Sequence, residues 1–337
     1  MACRRFAAAA SQPPHLAAIC AWEGWNDAYR ESHRHGGIAC TFRKNWQEMQ
    51  VKTVQHGIGE RGKKHPITGE LACGPETLSE AELANNREDM WLAVLERETD
   101  SEWYRERSAD LSRVTVPVLS AANWGGQGLQ TRGNFEGYAG AASKQKWLEV
   151  HGGSHWAPFY TGYGVGLQKR FFDHFLKGAA NGWDQQPKVL LQVRYPGEKF
   201  VERAGNEWPI ARTRWTHCYL DPAGMRLSDR TPAADAMLTY DATGEGATFS
   251  TGALEHATEI TAARSRSSCS CLRRPWTPIF LPSCGCSIRT ARSWCSRGRL
   301  IRTRPSPRAG CALPTASSTR SARCPTGLIT PMMKSSR

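Results

Sequence analysis

The sequence predicts an α/β chain that passes into an antiparallel β region, on three observations. Apolar runs of strand length recur at Leu16–Trp22, Val116–Ala121 and Lys146–Val150, separated by charged or Gly-rich connections. Residues 165–177 place Leu167, Phe171 and Phe175 at four-residue spacing with Phe172 and Leu176 beside them, one apolar helical face closed by Gly178. From Lys188 the texture changes to short segments, Val189–Arg194, Arg214–Leu220 and Ala247–Thr251, divided by Gly, Pro and Asp turns.

Taken in order, Arg4–Ser11 reads as a helix end, stopped by Pro13-Pro14 because proline cannot continue the backbone ladder. Leu16–Trp22 is then a buried parallel strand. Residues 25–112 are charged, Gly-punctuated and helical in patches, as expected of an inserted helical cap. Its clearest helix is Glu80–Thr99, with Leu83, Met90, Trp91, Val94 and Leu95 on one face. Alternation resumes at Val114. Pro117 sits near the start of the next strand, where a missing N–H is tolerated. A Gly-rich loop, Asn123–Gly128, follows it, and the loop Gly152–His155 follows the strand at Lys146–Val150. The expected domains are therefore 1–186 (partial α/β domain), 187–263 (start of a β domain) and 264–337 (tail).

Charge and cysteine both divide at the tail. Residues 264–337 hold fourteen Arg, one Lys, seven of the twelve Cys and no acidic residue. Of the 44 basic residues of the chain, 29 thus remain in the body against 31 acidic ones, so the net charge of +13 says nothing about the body's partners. Nucleic acid is not an expected partner. The pairs Cys269/Cys271 and Cys284/Cys286 lack the two-residue spacers and histidines of closed zinc sites, and no metal or other cofactor is expected. No apolar stretch is long enough to span a membrane, and the run Phe6–Ala10 is too short for a signal peptide. A cytoplasmic address, with no membrane partner, is the expectation.

A histidine between a strand and a helix, in a loop beyond the strand's carboxyl end, can serve as a general base, because its ordinary pKa lies near neutrality. His155 stands in that position, among ten histidines. Several motifs then resemble the CocE/NonD (cocaine-esterase-like) hydrolases. They are Gln12–Ile19, Trp22-Glu23-Gly24, His35–Ile38, Asn123–Leu129 with Arg132–Gly137, His151–Tyr160, Phe171–Gly178, and Pro196-Gly197-Glu198 through Trp208. Together they cover about residues 4–263. The resemblance implies a Ser-His-Asp α/β-hydrolase with a helical cap, followed by a jelly-roll domain like that of X-Pro dipeptidyl-peptidases. It implies His155 as the catalytic histidine and a small-molecule ester or amide as substrate.

Two departures accompany it. The family nucleophile, in a Gly-x-Ser-Tyr elbow, would fall at or just before Met1, and no Gly-x-Ser-x-Gly occurs anywhere in the chain. A fragment of a hydrolase, inactive alone, is therefore expected. The family aspartate would fall at Gly126, which leaves the acid unassigned between Glu23, Glu136 and neither. A non-catalytic ligand-binding module and a basic-tailed nucleic-acid binder are the alternative readings.

Acids vanish while Cys and Arg rise together at about residue 264, as in a GC-rich gene read out of frame. Reading the codons from about position 263 in the other two frames is expected to recover alternating apolar residues with acidic turns. Early stops and no strand periodicity in both frames would retire this account of the tail.

Overall fold

In the computed structural model the described residues are 4–35, 37–126, 129–154, 157–195, 197 and 199–234, shorter stretches between 236 and 260, and the strand backbones of 266–267 and 328–335. The chain forms two compact units, Met1–Ala211 and Arg212–Arg337.

The first unit begins with α1 (Arg5–Ala10) and β1 (Ile19–Trp22). A stretch of short elements follows: the hairpin β2 (Arg34–His35) and β3 (Ile38–Ala39), then α2 (Phe42–Trp46), α3 (Glu80–Asn85), α4 (Met90–Glu96) and α5 (Glu102–Arg105). The regular part resumes with β4 (Val118–Asn123), α6 (Thr131–Gly140), β5 (Lys146–His151), α7 (Ala157–Tyr160), α8 (Gly162–Lys177), β6 (Val189–Tyr195) and β7 (Lys199–Gly205).

One five-stranded sheet, in the order β1-β4-β5-β6-β7, organises this unit. The pairs β1–β4, β4–β5 and β5–β6 are parallel, and β6–β7 is antiparallel. Because side chains alternate between faces of a strand, the register sorts them into two cores. On one face Ile19, Ala21 and Val118 pack with Phe6 and Ala9 of α1, and Ala122, Leu148 and Val150 pack with Tyr138 of α6. On the other, Cys20, Trp22, Leu119, Ala121 and Trp147 pack with Leu167 and Phe171 of α8 and with Trp183.

Helix α8 fulfils its sequence pattern. The Thr161 hydroxyl accepts from the Gly164 N–H at 3.2 Å, and Gly178 ends the helix in the left-handed region (φ +65°). The expected single helix over 80–99 is instead two. Ser79 and Glu82 form a capping box for α3, and Asp89 starts α4 anew by accepting from the Trp91 and Leu92 N–H groups, both at 3.0 Å. A carboxylate committed to fresh helix N–H groups cannot sit in a helix interior.

Beyond residue 187 the next two strands belong to the first sheet. Val189 and Leu191 pair with Leu148 and Val150 of β5, so β6 and β7 extend the first sheet, and the unit closes at Ala211. Their apolar residues find a partner strand already in place. The second unit holds β8 (Thr213–Asp221), β9 (Arg226–Ser228), β10 (Glu259–Ile260), β11 (Arg266–Ser267) and β12 (Leu328–Ser335). Its sheet order is β10-β12-β8-β9 with β11 on β12, antiparallel throughout. Residues 328–335 pair with β8. Among the described residues no helix is long and apolar enough to cross a membrane.

The Arg132–Gly137 motif has a packing explanation. Asn134 lies fully buried; its amide donates to the Ala21 carbonyl at 2.7 Å and to the Ser120 hydroxyl at 2.9 Å. A Cβ on Gly133 would lie 2.5 Å from the Trp25 Cα and 2.8 Å from the Gly24 carbonyl oxygen, and one on Gly137 would enter the Phe6 ring. These absent side chains let α6 settle on the β1 turn. Gly133→Ala is expected to lower stability by about 1–3 kcal/mol, because backbone must move. Gly166→Ala, with open space around its Cβ on α8, should raise it by up to about 1 kcal/mol. Urea midpoints at unchanged m-value test the contrast.

Candidate active site

Parallel strands release their chains at the same end, and here β1, β4 and β5 are neighbours in register. Trp22, Ala121 and Glu149 form one row across the sheet, and Asn123 pairs with His151 two residues beyond. The turns that follow β1, β4 and β5 hold Glu23, Gly126 and the Gly152–Ser154 loop.

Glu23 leaves β1 with a left-handed backbone (φ +51°), which costs a non-glycine residue roughly 1 kcal/mol. Its N–H still donates to the Ala121 carbonyl at 2.7 Å, and it is only 4 % exposed. Asn123, at the end of β4, ties two loops together. Its Oδ1 accepts from the Gly125 N–H at 2.6 Å, and its amide nitrogen lies 3.4 Å from the carbonyl oxygens of Gly152, Gly153 and Ser154. Gly152 is required for a different reason: a Cβ there would fall 2.0 Å from the Phe200 ring.

Of the residues singled out from sequence, His155 lies outside the described residues, as do Gln127 and Gly128. The loop leading to it, Gly152–Ser154, leaves β5 beside Asn123. Glu23 is at this end of the sheet. Glu136 is on α6, where its carboxylate lies 3.9 Å from Arg132. Gly126 lies against Thr131, Gln130 and the Glu23 carboxylate. Among the described residues no cluster of His, Cys, Asp and Glu could hold a metal; the two Cys-x-Cys pairs lie outside them.

Sequence reasoning passed over His151, Glu149 and Tyr163. The His151 ring is buried, its Nδ1 2.8 Å from Glu149 Oε2 and its Nε2 3.7 Å from Glu23 Oε1, with Trp22 stacked on it at 5.0 Å. The Tyr163 hydroxyl of α8 donates to Glu149 Oε1 at 3.0 Å. The available signal was two ionisable residues at i and i+2 in an otherwise apolar strand, which must share a face. Burial alone would lower the His151 pKa, but the two carboxylates outweigh it and raise it to about 9. Burial pushes the Glu149 carboxyl up, and His151 and Tyr163 pull it only part of the way back. The ring is buried and its Nδ1 is engaged by Glu149, so His151 is placed as a partner of this carboxylate inside the sheet rather than as an accessible base. Burial pushes the Cys20 thiol up to about 12, which makes it a packing residue rather than a nucleophile.

The raised His151 pKa has a thermodynamic sign. Between the ordinary value of 6.5 and about 9 the folded chain holds a proton that the unfolded chain releases. The resulting stabilisation is complete below 6.5 and is lost as pH rises through about 9, with a slope of at most about 1.4 kcal/mol per pH unit. Denaturant midpoints across this window should fall in the parent chain and fall less in His151→Gln. Equal pH slopes in the two would contradict the assignment.

Residues 1–157 match the family model described as X-Pro dipeptidyl-peptidase (S15 family). Two crystal structures of a CocE/NonD family hydrolase from Staphylococcus aureus are similar to the chain. One shows 32% identity over 71% of this chain and 38% of its own, with a TM-score of 0.58. The other shows 30% identity over 72% and 39%, with a TM-score of 0.59. The chain therefore spans less than two-fifths of the length of these structures. No curated protein matches it. The mixed sheet flanked by helices is α/β-hydrolase-like, and with these matches the chain belongs to the CocE/NonD hydrolase family of X-Pro dipeptidyl-peptidase type.

Proposed function

We propose that this chain carries the general-base side of a serine hydrolase that cleaves acyl ester or amide bonds, X-Pro peptide bonds among them. The observation that carries the reading is the convergence of Glu23, Asn123 and the Gly152–Ser154 loop at the carboxyl ends of three adjacent parallel strands. Loops in that position are where doubly wound sheets gather reactive groups. His155 follows this loop directly.

In this reading His155 takes the proton of a serine hydroxyl as its oxygen attacks the acyl carbonyl. It then delivers that proton to the departing alcohol or amine, and repeats the cycle with water to release the acid. A carboxylate from the same end of the sheet orients the ring. The short helices of 25–112 serve as a cap over this end, and the antiparallel sheet of the second unit begins a jelly-roll domain. Since the chain contains no Gly-x-Ser-x-Gly, the serine is supplied by sequence other than these 337 residues, and the chain as it stands is inactive.

Two measurements test this. The chain alone should neither hydrolyse aryl esters nor take a serine-directed fluorophosphonate; stoichiometric labelling would overturn the reading. A polypeptide in which a segment bearing a Gly-x-Ser-Tyr elbow precedes this chain should turn over, and His155→Ala should lower its kcat by roughly 10²–10⁴-fold with little change in KM. An unchanged kcat would remove His155 from the mechanism.

A further inference from the structure

We propose that the cleft between α8 and the strands β6 and β7 binds a small zwitterion, a free amino acid or dipeptide with an apolar side chain. Arg170 holds its carboxylate and Glu202 its ammonium. The inference goes beyond the hydrolase reading and does not rest on it.

The cleft exists because the sheet outruns the helix that covers it. Leu167 and Phe171 of α8 pack on β1, β4 and β5, and the sheet continues past them as β6 and β7. Glu149 faces α8, where it accepts from Tyr163, and it pairs with Leu190, which pairs in turn with Ala204. Paired residues share a face of the sheet, as do residues two apart on one strand, so Leu190 and Glu202 also face the α8 side. On the helix, Tyr163, Gly166, Leu167 and Arg170 stand at i, i+3, i+4 and i+7 and form one stripe. Stripe and strands enclose a cleft of about 390 Å³, with Gln186 at its border. That volume falls in the range of small-molecule sites.

Two opposite charges line this cleft without meeting. Arg170 Nη2 donates to Gln186 Oε1 at 2.8 Å, and the guanidinium lies 5.7 Å from the centre of the Trp183 ring. These contacts fix the head group and leave further N–H donors for a ligand. The Glu202 carboxylate makes no hydrogen bond or ion pair among the described residues. It adds negative potential at Glu149 and Tyr163, so its side of the cleft attracts a cation. Leu167 and Leu190 supply an apolar floor between the two charges. A ligand bearing both signs satisfies both residues at once, with its carboxylate on the planar fork of the guanidinium. Arg170 and Glu202 are exposed, so each ion pair is weak, and a Kd on the order of 1 mM is expected.

The test is an amide NMR titration of the full 337-residue chain with the dipeptide alanyl-leucine, which should produce saturable shifts at Gly166 and Ala204. N-acetyl-alanyl-leucine lacks the ammonium and alanyl-leucinamide lacks the carboxylate; each should bind about three- to fivefold more weakly. Arg170→Gln should abolish the preference for the free carboxylate alone, and Glu202→Gln the preference for the free ammonium alone. A Cβ at Gly166 meets no atom within 4 Å, so Gly166→Leu directs its side chain into the cleft and should remove the shifts at Ala204. Urea midpoints report whether each variant folds. Should Gly166→Leu fail to fold, the two exposed substitutions decide the matter. The inference is overturned if shifts are absent at roughly ten times the expected Kd, if a peptide lacking either charge binds as tightly as alanyl-leucine, or if folded Gly166→Leu binds like the parent. Binding is read without turnover, so a missing hydrolase activity leaves this result untouched.

Discussion

Because β1, β4 and β5 run parallel and in register, Trp22, Ala121 and Glu149 fall in one row, and the residues that follow must emerge at one end of the sheet. The rest of the first unit is arranged around that alignment. Apolar side chains of both faces are covered, by α1 and α6 on one and α8 on the other. Glu23, Glu149 and His151, near the carboxyl ends, lie side by side as a result. Their proximity is a consequence of strand pairing, and no local segment could have produced it.

The same alignment explains why buried charge is tolerated here. An isolated ionised group in a protein interior costs several kcal/mol after relaxation. His151 sits between two carboxylates, one of which also accepts from Tyr163, and Trp22 stacks against the ring. Such an arrangement contributes little net stability over an apolar core of the same shape.

Glycines and two asparagines, Asn123 and Asn134, set how closely the elements around the site can approach. Gly133 and Gly137 allow α6 to lie on the turn after β1 and on Phe6, while Asn134 bonds across to β1 and β4. Gly152 makes room for Phe200 of β7 beside the loop that leads to residue 155. Strands β6 and β7 therefore shape the site from the first sheet, although their sequence has the alternating, turn-divided texture of a separate β region.

Local patterns in the sequence were enough for some of this. The spacing of Leu167, Phe171 and Phe175 with Gly178 behind them specifies α8, and the apolar runs ending at Trp22 and Val150 locate β1 and β5. Each depends on residues within one or two turns of each other. The motifs also pointed to the family and to the Glu23, Gly126 and 152–155 segments as the place for chemistry. Other features needed the fold. Asp89 divides one amphipathic pattern into α3 and α4 by capping, and β6 joins the first sheet because β5 offers it an edge. The pairing of His151 with Glu23 joins residues 128 positions apart in the chain. Sequence fixed which groups were available and which face of each element they occupy. Only the tertiary structure decided which carboxylate meets which ring, because that choice depends on strand order and register, and these are set by contacts between distant segments.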